Sequence, residues 1–123
     1  MSFIQRFEVA VTTIADGSAT AYTPNFTGKL SQIRYVKTDY AAGVDFTITS
    51  EATGETIWTQ ADVNASATVA PRQATHSTSG VAALYAGGGT AVLEQICIAK
   101  DRIKIVIAQG GDTKTGTFHF IVE

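Results

Sequence analysis

A chain of 123 residues with 45% hydrophobic residues is long enough for one domain with its own core, and too apolar to be disordered. Nine basic and eleven acidic residues give a net charge of -2, which excludes the strongly basic surface that nucleic-acid binding requires. A single cysteine excludes an intrachain disulfide, and the lack of any apolar run of about 20 residues predicts no membrane span.

The chain starts with an apolar pair, Phe3 and Ile4, that precedes the first alternating run. These side chains either anchor in the protein's own core, as a first strand does, or belong to an arm that reaches a neighbouring subunit. We expect a single domain over residues 1–123 with a short N-terminal arm at about residues 1–6. The start lacks the cationic head and long apolar stretch of a signal peptide, which predicts synthesis in a cytoplasm.

Apolar and polar residues then alternate with a period of two in several runs, which predicts half-buried strands. These runs are RFEVAVT (6–12), LSQIRYVK (30–37), VDFTITS (44–50), RIKIVIA (102–108) and TFHFIVE (117–123). Between the first two, Asp16-Gly17 predicts a hairpin turn. Roughly eight or nine strands without crossover helices predict an all-β fold with little helix. We expect a single antiparallel β-sandwich, of which a jelly roll is one form.

Two single residues have a predicted position in this sandwich. Trp58 alternates with Ile57 and Thr59 and is expected to face the core, with a place on a docking surface as the alternative. Cys97 lies between Ile96 and Ile98 and is expected to be a small buried hydrophobic residue.

The polar stretch APRQATHSTSG (70–80) interrupts the strand pattern, and it shows no catalytic signature. Ser77 follows His76, but adjacent residues of an extended loop point apart, and no GxSxG elbow is present. His76 and His119 have no carboxylate or thiol at a ligand spacing, so no metal site is predicted. We therefore predict no enzyme, no catalytic residue and no cofactor.

A docking surface is the interpretation that this long stretch favours, with a plain connection as the alternative. Pro71 holds the residue before it extended, and Arg72 and Gln73 offer donors to a partner. Tyr85 is of a type enriched in interfaces. The candidate partner contacts of the chain are therefore Phe3, Ile4, Pro71, Arg72, Gln73, His76 and Tyr85.

Three segments of this chain resemble small proteins encoded among the virion structural genes of tailed bacteriophages. They are SATAYTPNFTGKLSQIRYVKT, APRQATH and the closing RIKIVIAQGGDTKTGTFHFIVE, and the resemblance extends from about Val11 to Val122. It implies a virion structural protein, most often a capsid decoration (cement) protein that bridges capsid subunits. The implied location is the capsid. The implied partners are the major capsid protein or other virion proteins and further copies of the chain, a trimer among the options, with no nucleic acid and no membrane.

Two alternatives to capsid decoration remain open at this point. The same resemblance fits a neck, tail or fibre component of the virion. A β-sandwich can also bind glycans or a host surface, and its aromatic side chains could stack on sugars: Tyr22, Tyr35, Tyr40, Trp58 and Tyr85.

Overall fold

The computed structural model describes residues 4–123, which form ten strands, all paired antiparallel, and no helix. The strands are β1 Gln5–Thr12, β2 Ala19–Tyr22, β3 Phe26–Lys37, β4 Val44–Ser50, β5 Thr56–Val63, β6 Ala67–Val69, β7 Arg72–Ala74, β8 Leu93–Asp101, β9 Ile103–Ala108 and β10 Thr115–Val122. Within these residues, no helix exists that could cross a membrane. The count exceeds the predicted eight or nine because β6 and β7 have three residues each, too few to show alternation.

The strands form two sheets that pack face to face, which confirms the predicted antiparallel β-sandwich. The first sheet has the order β1-β10-β3-β8-β7, with β6 beside β3, and the second has the order β2-β9-β4-β5. Four pairs are nested along the chain: β1 with β10, β2 with β9, β3 with β8, and β4 with β5. The chain is thus one long hairpin wound across two sheets, and this arrangement is a jelly roll.

The core lies between the two sheets and contains the inward faces that alternation predicts. Its largest fully buried side chains are Tyr35, Phe46, Phe118, Phe120, Leu30, Ile33, Ile48, Ile103, Ile105, Ile107 and Val44. Removing such side chains from water drives folding, at about 25 cal/mol for each Å² of apolar surface. Trp58 is half-buried and meets the Phe46 ring edge-on at 5.7 Å, so it belongs to the margin of this core.

The prediction that Cys97 is buried is wrong, because its side chain is exposed. Its neighbours Ile96 and Ile98 both face the core, and the period of two then turns the residue between them outward. The same rule places His119, between buried Phe118 and Phe120, on the outer face of the first sheet.

The predicted hairpin at Asp16-Gly17 is also wrong, because the turn crosses from the first sheet to the second. β1 pairs with β10 and β2 pairs with β9, so the two strands beside the turn are not partners. The turn itself is regular: Ser18 donates its hydroxyl and its N–H to Asp16 Oδ1 at 2.7 and 3.0 Å, which lowers the pKa of Asp16. The turn therefore has the local hydrogen bonds that its sequence predicts, while long-range pairing determines which strand β1 bonds to.

The pairing of β3 with β8 and β6 determines where the chain between β7 and β8 lies. Residues 28–30 of β3 pair with β8, while residues 33–35 pair with β6, so β8 has left β3 by Ser31. The first residues of β8, from Leu93 to Gln95, pair with β7 instead. Residues 75–92, called here the 75–92 loop, consequently lie outside both sheets.

Two buried tyrosines of the core differ in what their hydroxyl groups contact. Tyr40 Oη donates to the Val11 carbonyl at 2.6 Å, whereas Tyr35 Oη finds no partner among residues 4–123. Burial raises the pKa of both phenols, so both are neutral near pH 7. The rings stack with their centroids 6.2 Å apart, and the pair provides a matched test of a bonded and an unbonded hydroxyl.

Replacing Tyr35 by phenylalanine is expected to leave the free energy of unfolding unchanged or to raise it by up to about 1 kcal/mol, because the change removes an unpaired buried polar group. Replacing Tyr40 by phenylalanine is expected to lower it by about 1 kcal/mol, because the Val11 carbonyl loses a donor. Urea unfolding of both variants measures the difference. Equal losses would contradict the prediction.

Candidate docking surface

The 75–92 loop is a small folded unit that is held by its own main chain. Thr75 N donates to Val92 O at 2.9 Å, Val92 N donates to Ala83 O at 3.0 Å, and Ala83 N donates to Thr75 O at 2.7 Å. His76 bridges to Ala82 further out along the loop. Since these bonds tie three passes of the chain together, the loop offers a shaped surface although none of its residues belongs to the core cluster.

Large apolar side chains are exposed on this loop and on the first residue of β8. Of the nine large hydrophobic residues that are exposed in residues 4–123, five come from this one stretch of the chain. They form the apolar patch, and their exposed fractions are Val81 66%, Leu84 46%, Tyr85 88%, Val92 41% and Leu93 56%. Apolar side chains concentrated in this way mark an interaction site more often than scattered ones do.

Two of the predicted contact residues, Pro71 and Arg72, support the base of the loop. Pro71 is buried. Arg72 Nη1 donates to the Ser31 carbonyl and to the Pro71 carbonyl, at 2.9 Å each. Ser31 lies where the register between β3 and β10 skips a residue, so the Arg72 guanidinium provides the donor at a bulge. Both side chains fix where the loop leaves the sandwich.

Three other predicted contact residues lie on the loop or beside it. Gln73 is half-buried, and its amide donates to Glu94 Oε1 at 3.4 Å. His76 and Tyr85 are exposed on the loop, as a docking role requires. A depression of 370 Å³ at the base of the loop is lined by Lys29, Arg72, Leu93, Glu94, Gln95 and Cys97, so the surface continues past the apolar patch.

Of the N-terminal pair, the described residue, Ile4, does not join this surface. Ile4 is exposed at the start of β1, and Phe3 lies outside the described residues. Gln5 and Arg6, which the predicted arm included, are paired with β10 as the first residues of β1. β1 and β7 stand at the two ends of the strand order of the first sheet, so Ile4 and the loop lie at opposite edges of that sheet.

The polar groups of the loop serve its turns. Ser77 Oγ accepts from the main-chain N–H groups of Ser79 and Val81, at 3.3 Å each, so the hydroxyl next to His76 holds the turn 77–81. The other histidine, His119, lies in a row with Glu8 and Arg34 across the outer face of the first sheet. No group of three metal-ligating side chains occurs in the described part of the chain.

A separate charged cluster closes the end of the second sheet. The Arg102 guanidinium lies 3.8 Å from the centroid of the Tyr22 ring and donates two hydrogen bonds to the Glu51 carboxylate. Those bonds lower the pKa of Glu51 and raise that of Arg102. Because these groups satisfy one another, the cluster ties the β4–β5 turn to the β8–β9 corner.

Sequence reasoning missed four residues of the apolar patch: Val81, Leu84, Val92 and Leu93. The available signal was an apolar stretch cut by Gly87–Gly89, too short on either side to form a regular strand. No protein-family model matches this chain, and no curated protein matches it as a relative.

Proposed function

We propose that this protein is a non-enzymatic structural protein of a phage virion that decorates the capsid and bridges capsid subunits. The observation that carries the proposal is the apolar patch, exposed on a loop whose shape is fixed before a partner arrives. Docking would remove the exposed Tyr85 ring and its neighbours from water, and it would cost little ordering of the loop. The sequence resemblance to virion proteins supports the choice of partner, the major capsid protein.

Repetition of the contact over a capsid lattice would raise the overall affinity above that of one modest contact. A loop of this size buries less surface than a standard protein interface on its own. Copies that are held next to one another on a lattice, however, gain from effective concentration, so that many weak contacts give firm attachment. The proposed mechanism is therefore adhesive, and it needs no catalytic group.

Three of the aromatic side chains that suggested glycan binding are wholly or partly covered. Tyr35 and Tyr40 are buried in the core, and the Tyr22 ring is covered by the Arg102 guanidinium. Tyr85 and the half-buried Trp58 lie on different parts of the fold, on the 75–92 loop and on β5. A sugar platform would need several aromatic faces in one place, so capsid decoration is the better supported function.

Co-sedimentation of the purified protein with capsids that lack it tests the proposal. We expect saturable binding, and we expect Leu84→Ser and Tyr85→Ala each to weaken it about 30-fold, as truncation of a central contact does. Ile14→Ser is the matched control, because Ile14 is 62% exposed on the β1–β2 turn, away from the loop. It should bind like the unchanged protein.

Two outcomes would contradict the proposal in distinguishable ways. If the unchanged protein ignores capsids, capsid decoration is wrong, and a low copy number relative to the major capsid protein would point to the neck or tail. If the protein binds but the Leu84 and Tyr85 variants bind equally well, the apolar patch is not the contact.

A further inference from the structure

The outer strand of the first sheet, β1, is an open edge whose one usual protection is a pair of charged side chains of opposite sign, Arg6 and Glu8. In residues 4–123 its one strand partner is β10, and the eight pairs between them run without a register shift. β1 contains no proline, glycine or lysine. Natural proteins usually blunt an exposed edge with such residues, with a bulge or by shortening the strand.

The other sheet edges of the described chain have that protection. β6 and β7 have three residues each, and β2 has four. β5 is as long as β1, but its pairing with β4 shifts register twice, and Asp62 on it has a φ of 54°. β1 is thus the edge best suited to accept another strand.

The hydrogen-bonding groups of β1 that face outward can be identified. Thr13 N donates to Lys114 O at 2.8 Å, so the main chain of Thr13 points toward β10. Alternation then directs the odd-numbered residues of β1 toward β10 and the even-numbered residues outward. On β10, the main chains of Thr115 and Glu123 bond in the direction of β3. The even-numbered residues of β10 therefore face β1, which agrees with this assignment. Arg6, Glu8 and Ala10 therefore direct their N–H and C=O groups outward, where no strand of residues 4–123 pairs with them.

Two β1 strands can pair antiparallel in one register that both joins their outward main-chain N–H and C=O groups by hydrogen bonds and places opposite charges across from each other. With Phe7 opposite Phe7 of the second copy, Arg6 lies opposite Glu8 and Glu8 lies opposite Arg6. If Glu8 were opposite Glu8 of the second copy, the two carboxylates would face each other. If Val9 were opposite Val9, neither charged side chain would have a charged partner. Arg6 and Glu8 are exposed on one face of β1, so the two pairs form together.

We propose that β1 pairs with β1 of a second copy of this chain in that register, which gives a two-fold dimer with one continuous sheet. The pairs Arg6–Glu8 select the register, and the outward main-chain groups of residues 4–10 form the ladder. The two Phe7 rings, each half-buried and 5.0 Å from its own Phe26, lie next to each other at the centre. The dimer uses the edge opposite the 75–92 loop and holds whether or not that loop binds capsids.

Light scattering of the purified protein over a range of concentrations tests the dimer. We expect a dimer for the unchanged chain, and a dissociation constant raised roughly tenfold or more in Arg6→Glu and in Glu8→Arg, because two attractive pairs become repulsive. An equal mixture of these two variants restores both opposite pairs across the interface, so we expect it to form a heterodimer. The recovery in the mixture also shows that each variant is folded, although Glu8 neighbours His119 within the chain.

Ala10→Pro provides a test that changes no charge. The substitution removes an outward N–H and leaves the bonds from β1 to β10 in place, so it should weaken the dimer while the melting temperature of the monomer stays unchanged. A monomeric unchanged chain would overturn the proposal. A dimer that persists equally in the single charge variants, or that is lost in Leu84→Ser, would overturn it as well.

Discussion

Replacing Phe46 by alanine is expected to lower the free energy of unfolding by about 4 kcal/mol, the largest effect of any single change considered for this protein. Phe46 is fully buried on β4 at the centre of the aromatic cluster. Its ring meets Tyr35, Phe118 and Trp58 edge-on at centroid distances of 4.6, 5.0 and 5.7 Å. Truncation leaves a cavity between rings that both sheets hold in place, so the gap cannot collapse.

Chemical denaturation measures this loss, and Phe26→Ala is its control. Phe26 is half-buried near the start of β3, with Phe7 as its one aromatic neighbour among the described residues. Its truncation removes less buried surface and should cost about half as much. Because domains of this size have a stability of about 5–15 kcal/mol, the Phe46 variant should unfold at a much lower denaturant concentration. Equal losses in both variants would contradict the central position of Phe46.

Replacing Gly116 by alanine is expected to cost about 3 kcal/mol, although the change adds one methyl group. Gly116 lies on β10 beneath the stacked tyrosines. A Cβ atom there would sit 2.9 Å from Tyr40 Cδ2 and 3.0 Å from Tyr35 Cε1. Tyr40 cannot move away freely, because its hydroxyl is bonded to the Val11 carbonyl. The added methyl group therefore has to displace two packed rings or the strand itself.

The control for Gly116 is Gly87→Ala on the 75–92 loop. No atom lies within 4 Å of the position that its Cβ would take, and its backbone is outside the left-handed region. We expect a change within about 0.5 kcal/mol, with a small gain from the stiffer unfolded chain. Thermal unfolding of the two variants under one set of conditions checks both. A Gly116 variant as stable as the Gly87 variant would show that the rings adjust more freely than the packing indicates.

The inward face of each long strand could be predicted from the sequence, because the direction of a side chain along a strand depends on local geometry alone. This is why Val44, Phe46 and Ile48 face the core as expected. The pairing partners could not be predicted in the same way. Asp16-Gly17 has the chemistry of a hairpin, but β10, about 100 residues further on, supplies the partner of β1. That choice depends on how both sheets share one core.

The candidate docking surface was only partly predictable for a related reason. The polar residues of the stretch 70–80 indicate exposure, and Tyr85 was identified by its type. Val81 and Leu84 are exposed too, but in a sequence they are indistinguishable from core residues, since their exposure depends on whether another element covers them. Arg72 stays a predicted partner contact, and the bond from its guanidinium to Ser31, a bulge position, is one that no local pattern reveals.

The nested order of the strands also sets when this protein can fold as it is synthesised. β4 and β5 adjoin along the chain and can pair early, whereas β10, the partner of β1, is the last of the ten described strands to be made. Until residues 115–122 leave the ribosome, the first sheet lacks the strand that joins β1 to β3, and the core between the sheets stays open. The sandwich therefore gains its stability almost entirely after β10 has been made, when the most distant pair closes the longest loop.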